Sequence, residues 1–269
     1  MAKFTALRTS QPLTLDGSLS DPIWQAAPKS KRFVDMATGA PGLLNTQCSI
    51  LWDDENLYIG FWIEEPFPTA KQTDRDSLIF RENDVEVFID GGDCYYEFEI
   101  NALNTVYEVF FIWRDAYTKG GRFDIPEFDL LERDAYTFGG NFDRTEDNFW
   151  RGTNPRGIRW AFLDWDFPGM ESAVHVNGSL NDPTQPSKGW TTMLKFPWAG
   201  MKHLAENRSL PPKDGDIWKM FLGRFQKIDV GEEQVQAAWC LSSHGTYDTH
   251  MPEKFTAIEF KEQLVVPQG

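Results

Sequence analysis

The chain has 269 residues, a formal net charge of −15 and a pI near 4.7, with 41% hydrophobic residues and 11 tryptophans. This acidity weighs against a nucleic-acid backbone or an anionic membrane as partner, since both need a basic footprint, and it suits a neutral ligand or Ca²⁺, which prefers carboxylate and carbonyl oxygens. No stretch is long and apolar enough for membrane insertion, and Cys48, Cys94 and Cys240 form neither a disulfide framework nor a CxxC site.

In chain order, a short opening strand leads to Leu15–Trp24 (LDGSLSDPIW), where Asp16-Gly17 is a turn and Asp21-Pro22 starts a short helix. Residues 46–53 and 56–64 read as a strand pair rich in β-branched and aromatic residues. A charged loop carrying Asp74-Arg75-Asp76 then runs into three alternating strands between Asn83 and Trp113.

In the first of these, Asp84, Glu86, Phe88 and Asp90 share a face; in the second, Tyr95, Glu97, Glu99 and Asn101 do. A two-residue Gly91-Gly92 hairpin sets Glu86 against Glu97, and a four-residue loop sets it against Glu99. Either way the acids collect on one face. A four-residue turn at 102–105 would add Glu108 to them. Like charges facing each other destabilise a sheet, so the face needs an arginine, a metal, raised pKa values or a polar ligand. Arg75 and Arg224 are the candidate counter-charges, and Asp84 and Glu86 are the candidate calcium ligands.

Residues 114–157 break the alternation with Gly, Asp, Arg, Asn and aromatics, and read as an ordered insertion with a short helix near 128–134. Strands resume at 158–163, 172–177, 190–196, 217–227, 234–241 and 255–260, with a short helix over about 198–204. Some eleven strands and almost no helix predict one all-β domain over 1–269, an antiparallel β-sandwich of the jelly-roll or immunoglobulin-like kind. Arg224 shares its parity with Trp218, Met220 and Leu222, so it is expected inside the sandwich and paired. His244 and His250 are six residues apart, which is no metal signature.

The motifs LDGSLSDPIW, ILWDDENLYIGFWIEEP, NDVEVFID, YYEFEINALNTVYE, GSLNDP, FPW and HMPE, in this order, resemble the carbohydrate-binding family 9-like proteins of the DOMON-like β-sandwich group. The resemblance implies a sugar-binding sandwich, often with calcium, and an extracellular or periplasmic setting; no signal peptide is visible, which leaves the cytoplasm open. It places Glu99 and Asn101 on the strand that supplies polar sugar contacts, with Glu99 where an arginine is expected. It gives His250 a motif position. A tryptophan expected before the acidic strand is absent, with Phe67 and Phe80 the nearest aromatics; Trp113, Trp150, Trp160 and Trp165 are the substitutes for stacking. Haem, bound by related domains, is not expected, because His250 and Met251 are adjacent and point apart. The resulting expectation is non-catalytic carbohydrate binding by Arg75, Glu97, Glu99, Asn101, Trp113, Trp160, Trp165, Arg224 and His250. A glycoside hydrolase or lyase using Glu86, Glu97, Glu99 and His250 is the alternative. Oligomeric state is not legible.

Overall fold

The computed structural model describes residues 3–140 and 154–267. Its strands are β1 (Lys3–Arg8), β2 (Val34–Asp35), β3 (Thr46–Trp52), β4 (Asn56–Ile63), β5 (Asp84–Asp90), β6 (Cys94–Ile100) and β7 (Val106–Trp113). They continue as β8 (Ala135–Phe138), β9 (Arg159–Phe162), β10 (Glu171–Val176), β11 (Trp190–Pro197), β12 (Ile217–Val230), β13 (Glu233–Cys240) and β14 (Thr256–Leu264). Two short helices, α1 (Pro22–Ala26) and α2 (Lys202–Ala205), sit where the sequence placed them. Asp21 caps α1, its carboxylate accepting from the Ile23 amide at 2.9 Å. Asp21→Ala should therefore lower stability by about 1 kcal/mol in chemical denaturation.

The strands form one hydrogen-bonded path, β10-β11-β4-β3-β1-β14-β12-β5-β6-β7-β9-β8, with β13 branching from β12 to β2. The path folds on itself as a β-sandwich. Ile59, Phe61, Leu194 and Phe196 of one half meet Val87, Phe98, Phe110 and Leu222 of the other in the main core, and the Phe98 and Phe196 rings lie 5.4 Å apart. Pairing is antiparallel except at β1, which runs parallel to both β14 and β3. A second apolar cluster covers the outer side of the half containing β5–β7. It joins Phe88, Tyr95, Phe111, Phe221 and Phe255.

That second cluster explains why the outer face is not the solvated surface that bare alternation would allow. The segment 114–140 and the loop 241–255 fold over it. The expected helix near 128–134 is instead a single 3-10 turn, Pro126–Phe128, followed by β8. Phe123 and Phe128 are buried in the main core, so this part of the insertion is anchored through aromatic side chains. Residues 141–153, with Trp150, lie outside the described residues.

Candidate functional site

The turn between β5 and β6 sets the register. The Gly91 amide donates to the Cys94 carbonyl at 2.8 Å, Gly92 takes a φ of 75°, and Asp90 pairs with Tyr95. This is the four-residue loop, so Glu86 lies opposite Glu99 and Phe88 opposite Glu97. On the other side of β5, Glu86 pairs with Gly223 of β12. A Cβ at Gly223 would sit 2.3 Å from the Phe221 ring, so glycine lets that ring lie beside the acidic row.

The turn between β6 and β7 corrects the expectation for Glu108. Ile100 pairs with Val106, which leaves five residues in the loop rather than four. Asn101 organises the extra residue. Its Oδ1 accepts from the Leu103 and Thr105 amides at 2.9 and 3.0 Å, while its Nδ2 donates to the Gln72 carbonyl and to Glu82. An odd loop reverses the parity of β7. Tyr107, Val109 and Phe111 therefore join the acidic face, and Glu108 points into the sandwich opposite Phe98. There Arg75 approaches it at 3.1 Å and the Phe167 amide donates to it at 2.8 Å. Burial, offset by that amide and by Arg75, leaves its pKa pushed up to about 7.

Four carboxyls remain together on the outer face: Asp84, Glu86, Glu97 and Glu99, each at most 6% exposed. Neither oxygen of Asp84, nor Oε2 of Glu86 or Glu99, has a hydrogen-bond partner. Burial pushes all four pKa values up, Glu97 to about 8. Glu86 and Glu99 are raised further by the charges of their acidic neighbours. The proximity of Glu97 and Glu99 raises Glu99 further and holds Glu97 lower than burial alone would. Oxygens of Asp84, Glu86 and Glu99 lie within 4.8 Å of one another. Two Ca–O bonds of about 2.3–2.6 Å span such a distance, so this trio has the chemistry and spacing to hold a hard cation.

Glu86, Glu97, Glu99 and His250 line one cavity of about 250 Å³. Its walls are aromatic: Phe80 before β5, Tyr107 and Phe111 of β7, Tyr136 and Phe138 of β8, and Tyr247. The floor is dry and acidic, whereas Tyr136 and Tyr247, at 40% and 45% exposed, form the rim. His250 is buried, with Nδ1 3.1 Å from the Tyr95 hydroxyl and its ring 4.5 Å from Phe138. Burial and then Arg159 hold its pKa well below the usual histidine value, so it is neutral at pH 7.

The loop bearing His250 is braced from below. Arg159, fully buried, donates through Nη2 to the His250 carbonyl and lies over the Trp113 ring at 4.4 Å. The His250 amide donates to Asp248 at 2.9 Å, and His244 Nδ1 meets the Asp248 carbonyl at 2.8 Å. Trp113 thus supports the arginine that holds the loop, and does not line the cavity. Trp165 is buried in the main core, its indole N–H donating to Glu127, and Trp160 packs against the same core. Asn101 sits at the end of β6 as a turn-former, outside the cavity lining.

Neither arginine neutralises the acidic floor. Arg75 serves Glu108 and Asp166 at 3.1 and 2.9 Å. Arg224 is buried inside the sandwich, 3.6 Å from Glu65. Sequence reasoning missed Tyr107 and Phe111 because it did not foresee the odd turn. It passed over Tyr136 and Phe138 although Ala-Tyr-Thr-Phe alternates as a short strand does.

Residues 15–110 match a family described as Carbohydrate family 9 binding domain-like. Among solved structures, the chain is similar to a Bacteroides uniformis protein proposed to bind carbohydrate, at 12% identity and a TM-score of 0.56, covering 97% of this chain and 99% of that one. It is also similar to a carbohydrate binding module family 9 from Caldicellulosiruptor kristjanssonii in complex with cellotriose, at 15% identity and a TM-score of 0.51 over 99% of each chain. A family 9 module from the same organism in complex with glucose gives 12% identity and a TM-score of 0.50 over 97% of each chain. At these identities the likeness to the solved structures is one of fold. No curated protein matches the sequence.

Proposed function

From the match of residues 15–110 to the carbohydrate family 9 binding domain-like family, we propose that the protein is a non-catalytic carbohydrate-binding module and that its site is the acidic, aromatic-walled cavity on the outer face of β5–β7. The observation that carries this is the pairing of a polar floor with aromatic walls. The apolar face of a sugar ring lies well on an aromatic ring, and its hydroxyls both donate and accept hydrogen bonds. Burial keeps Glu97 and Glu99 protonated at neutral pH, so each offers an O–H donor and a carbonyl acceptor to those hydroxyls. Tyr107 and Tyr136 add hydroxyls of their own beside their ring faces. The cavity volume of about 250 Å³ suits the end of a sugar chain and not its middle.

The layout of the acids favours binding over hydrolysis. Glu86, Glu97 and Glu99 all rise from two neighbouring strands on one side of the cavity. Two-carboxylate glycoside hydrolysis needs acids that flank the scissile bond.

Calorimetric titration with a panel of mono- and oligosaccharides tests this, with each mixture sampled for new reducing ends. Saturable heat with intact sugar is the expected result. Glu97→Gln and Glu99→Gln should each weaken binding by about 10-fold or more, the cost of leaving a buried hydrogen bond unmade, while the protein stays folded. Unchanged affinity in both variants would move the site elsewhere, and bond cleavage would replace the binding reading with an enzymatic one.

A further inference from the structure

We propose that the sugar taken by this cavity is an amino sugar, its ammonium group seated on Glu86, Glu97 and Glu99 and its ring against the aromatic wall. This rests on the carbohydrate-binding reading and names the ligand class. The first ground is charge. Three carboxyls line one cavity and a fourth, Asp84, lies directly behind them. Among the described residues that line it there is no lysine or arginine, and His250 is neutral and engaged with Tyr95. The two arginines that charge balance alone would send there are engaged by Glu108 and Glu65 on the far side of the sheet.

The second ground is unmet bonding. Glu86 and Glu99 line the cavity, and Oε2 of each is buried with no hydrogen-bond partner. Buried polar atoms are rarely left so, and a carboxylate oxygen accepts only donors. An ammonium brings three donors, and its charge draws these carboxyls into their ionised form and pairs with them in place of their protons. Neutral sugar hydroxyls satisfy the oxygens without that ion pairing.

The third ground is the wall. Phe111, Tyr107, Phe138 and Tyr136 line the cavity with the acids. Rings attract a cation through their quadrupole and cover the C–H face of a sugar, and they offer nothing to a calcium ion, which takes about six to eight oxygens. The backbone carbonyls that often complete a calcium shell are committed here, because β5 and β6 lie within the sheet, paired on both sides. The Asp84, Glu86 and Glu99 trio is therefore better matched to a ligand that carries its own donors.

The test is calorimetric titration of the intact protein in EDTA at pH 6.5. Glucosamine, galactosamine and mannosamine are each compared with the neutral parent and the N-acetyl form, and the series is repeated without EDTA in CaCl₂. At least one amine should bind about 10- to 100-fold tighter than its parent, and acetylation, which removes the charge, should abolish that preference. Glu86→Gln and Glu97→Gln should cost the amine more affinity than they cost the parent, with melting curves confirming that both variants fold. If the parents bind and no amine exceeds them, the inference falls and the carbohydrate reading stands. Silence from all nine sugars overturns both. Affinity that appears only with CaCl₂, equal for amine and parent, assigns the acids to a metal and overturns the inference.

Discussion

The melting temperature of the ligand-free protein is expected to fall by about 4–8 °C or more between pH 6.5 and pH 8.5. The cause is the acidic floor. Glu97 has a folded pKa of about 8 against an ordinary 4.5, because burial disfavours its charged form. Between those values the native state holds a proton that the unfolded chain has released, so stability declines as pH rises, by about 1.4 kcal/mol per pH unit for one such group. The stretch from pH 6.5 to 8 removes roughly 2 kcal/mol through Glu97 alone, and a chain of this size loses about 2–4 °C per kcal/mol. Asp84, Glu86 and Glu99 are raised by the same burial and act in the same direction. Histidines oppose them only at lower pH. His203, His244 and His250 all have lowered pKa values, so their cost appears as pH drops below about 6.5. The window above 6.5 therefore isolates the carboxyls. Melting curves at pH 6.5, 7.5 and 8.5 at fixed ionic strength read the slope, and Glu97→Gln should flatten it. A level profile in the wild type would mean that the four acids are charge-compensated before any ligand arrives.

The largest single-residue effect is expected at Arg224. Its guanidinium is buried inside the sandwich, where Nη1 donates to Thr46 Oγ1 at 3.0 Å and to the Glu64 carbonyl at 2.8 Å. Nη2 donates to Gln226, Glu65 lies at 3.6 Å, and the Trp239 ring is 5.2 Å from the guanidinium carbon. Burial pulls its pKa down to about 10 and Glu65 opposes that shift, so the residue stays charged at neutral pH. Glu65 is itself buried, and accepts from Asn83 at 2.6 Å and from the Trp190 indole at 2.8 Å. Arg224→Met leaves that carboxylate with donors but no cation. The expected loss is about 3–5 kcal/mol, the cost of stranding one member of a buried pair. Glu65→Gln combined with Arg224→Met should recover a large part of it, because the uncompensated charge is then gone. Denaturant unfolding of both variants measures this. A loss under about 1 kcal/mol in the single variant would show that water reaches Glu65. Sugar affinity should not follow the stability, since this network and the cavity lie on opposite faces of β12 and β5.

What was legible in the sequence was local. Alternation between Asn83 and Trp113 placed the strands, and Asp21-Pro22 placed α1, because strand period and cap chemistry are written in adjacent residues. The shared face of Asp84, Glu86, Glu97 and Glu99 was legible too, since turns of two and of four residues both preserve parity. The fifth acid of that expectation, Glu108, failed on one added residue. A side chain, Asn101, closes a five-residue turn by bonding the Leu103 and Thr105 amides, and strand alternation does not contain that information. Arg224 is inside the sandwich and paired, as its parity with Trp218, Met220 and Leu222 predicts, but its partner is Glu65, and Arg75 reaches Glu108 and Asp166; charge balance says that acids need partners, and only the fold decides which acids each arginine reaches. The aromatic wall was obscured by expecting tryptophan. Tyrosine and phenylalanine line the cavity instead, two of them from a four-residue strand within the insertion, while Trp113 and Trp165 brace the arginine and pack the core.

The parallel placement of β1 between β14 and β3 has a kinetic consequence. Lys3–Arg8 pairs with residues near 257–264, so the seam joining the two halves of the sandwich is made from strands some 250 positions apart. Hairpins such as β5–β6 need only short loops and form early, whereas this seam must wait for a very distant segment to arrive, and ladders of such long sequence separation close slowly. Until it closes, β3 and β14 each present an unpaired edge to other chains. During synthesis and refolding, this seam is therefore where exposure to aggregation is expected to last longest, far from the acidic face that the short β5–β6 hairpin carries.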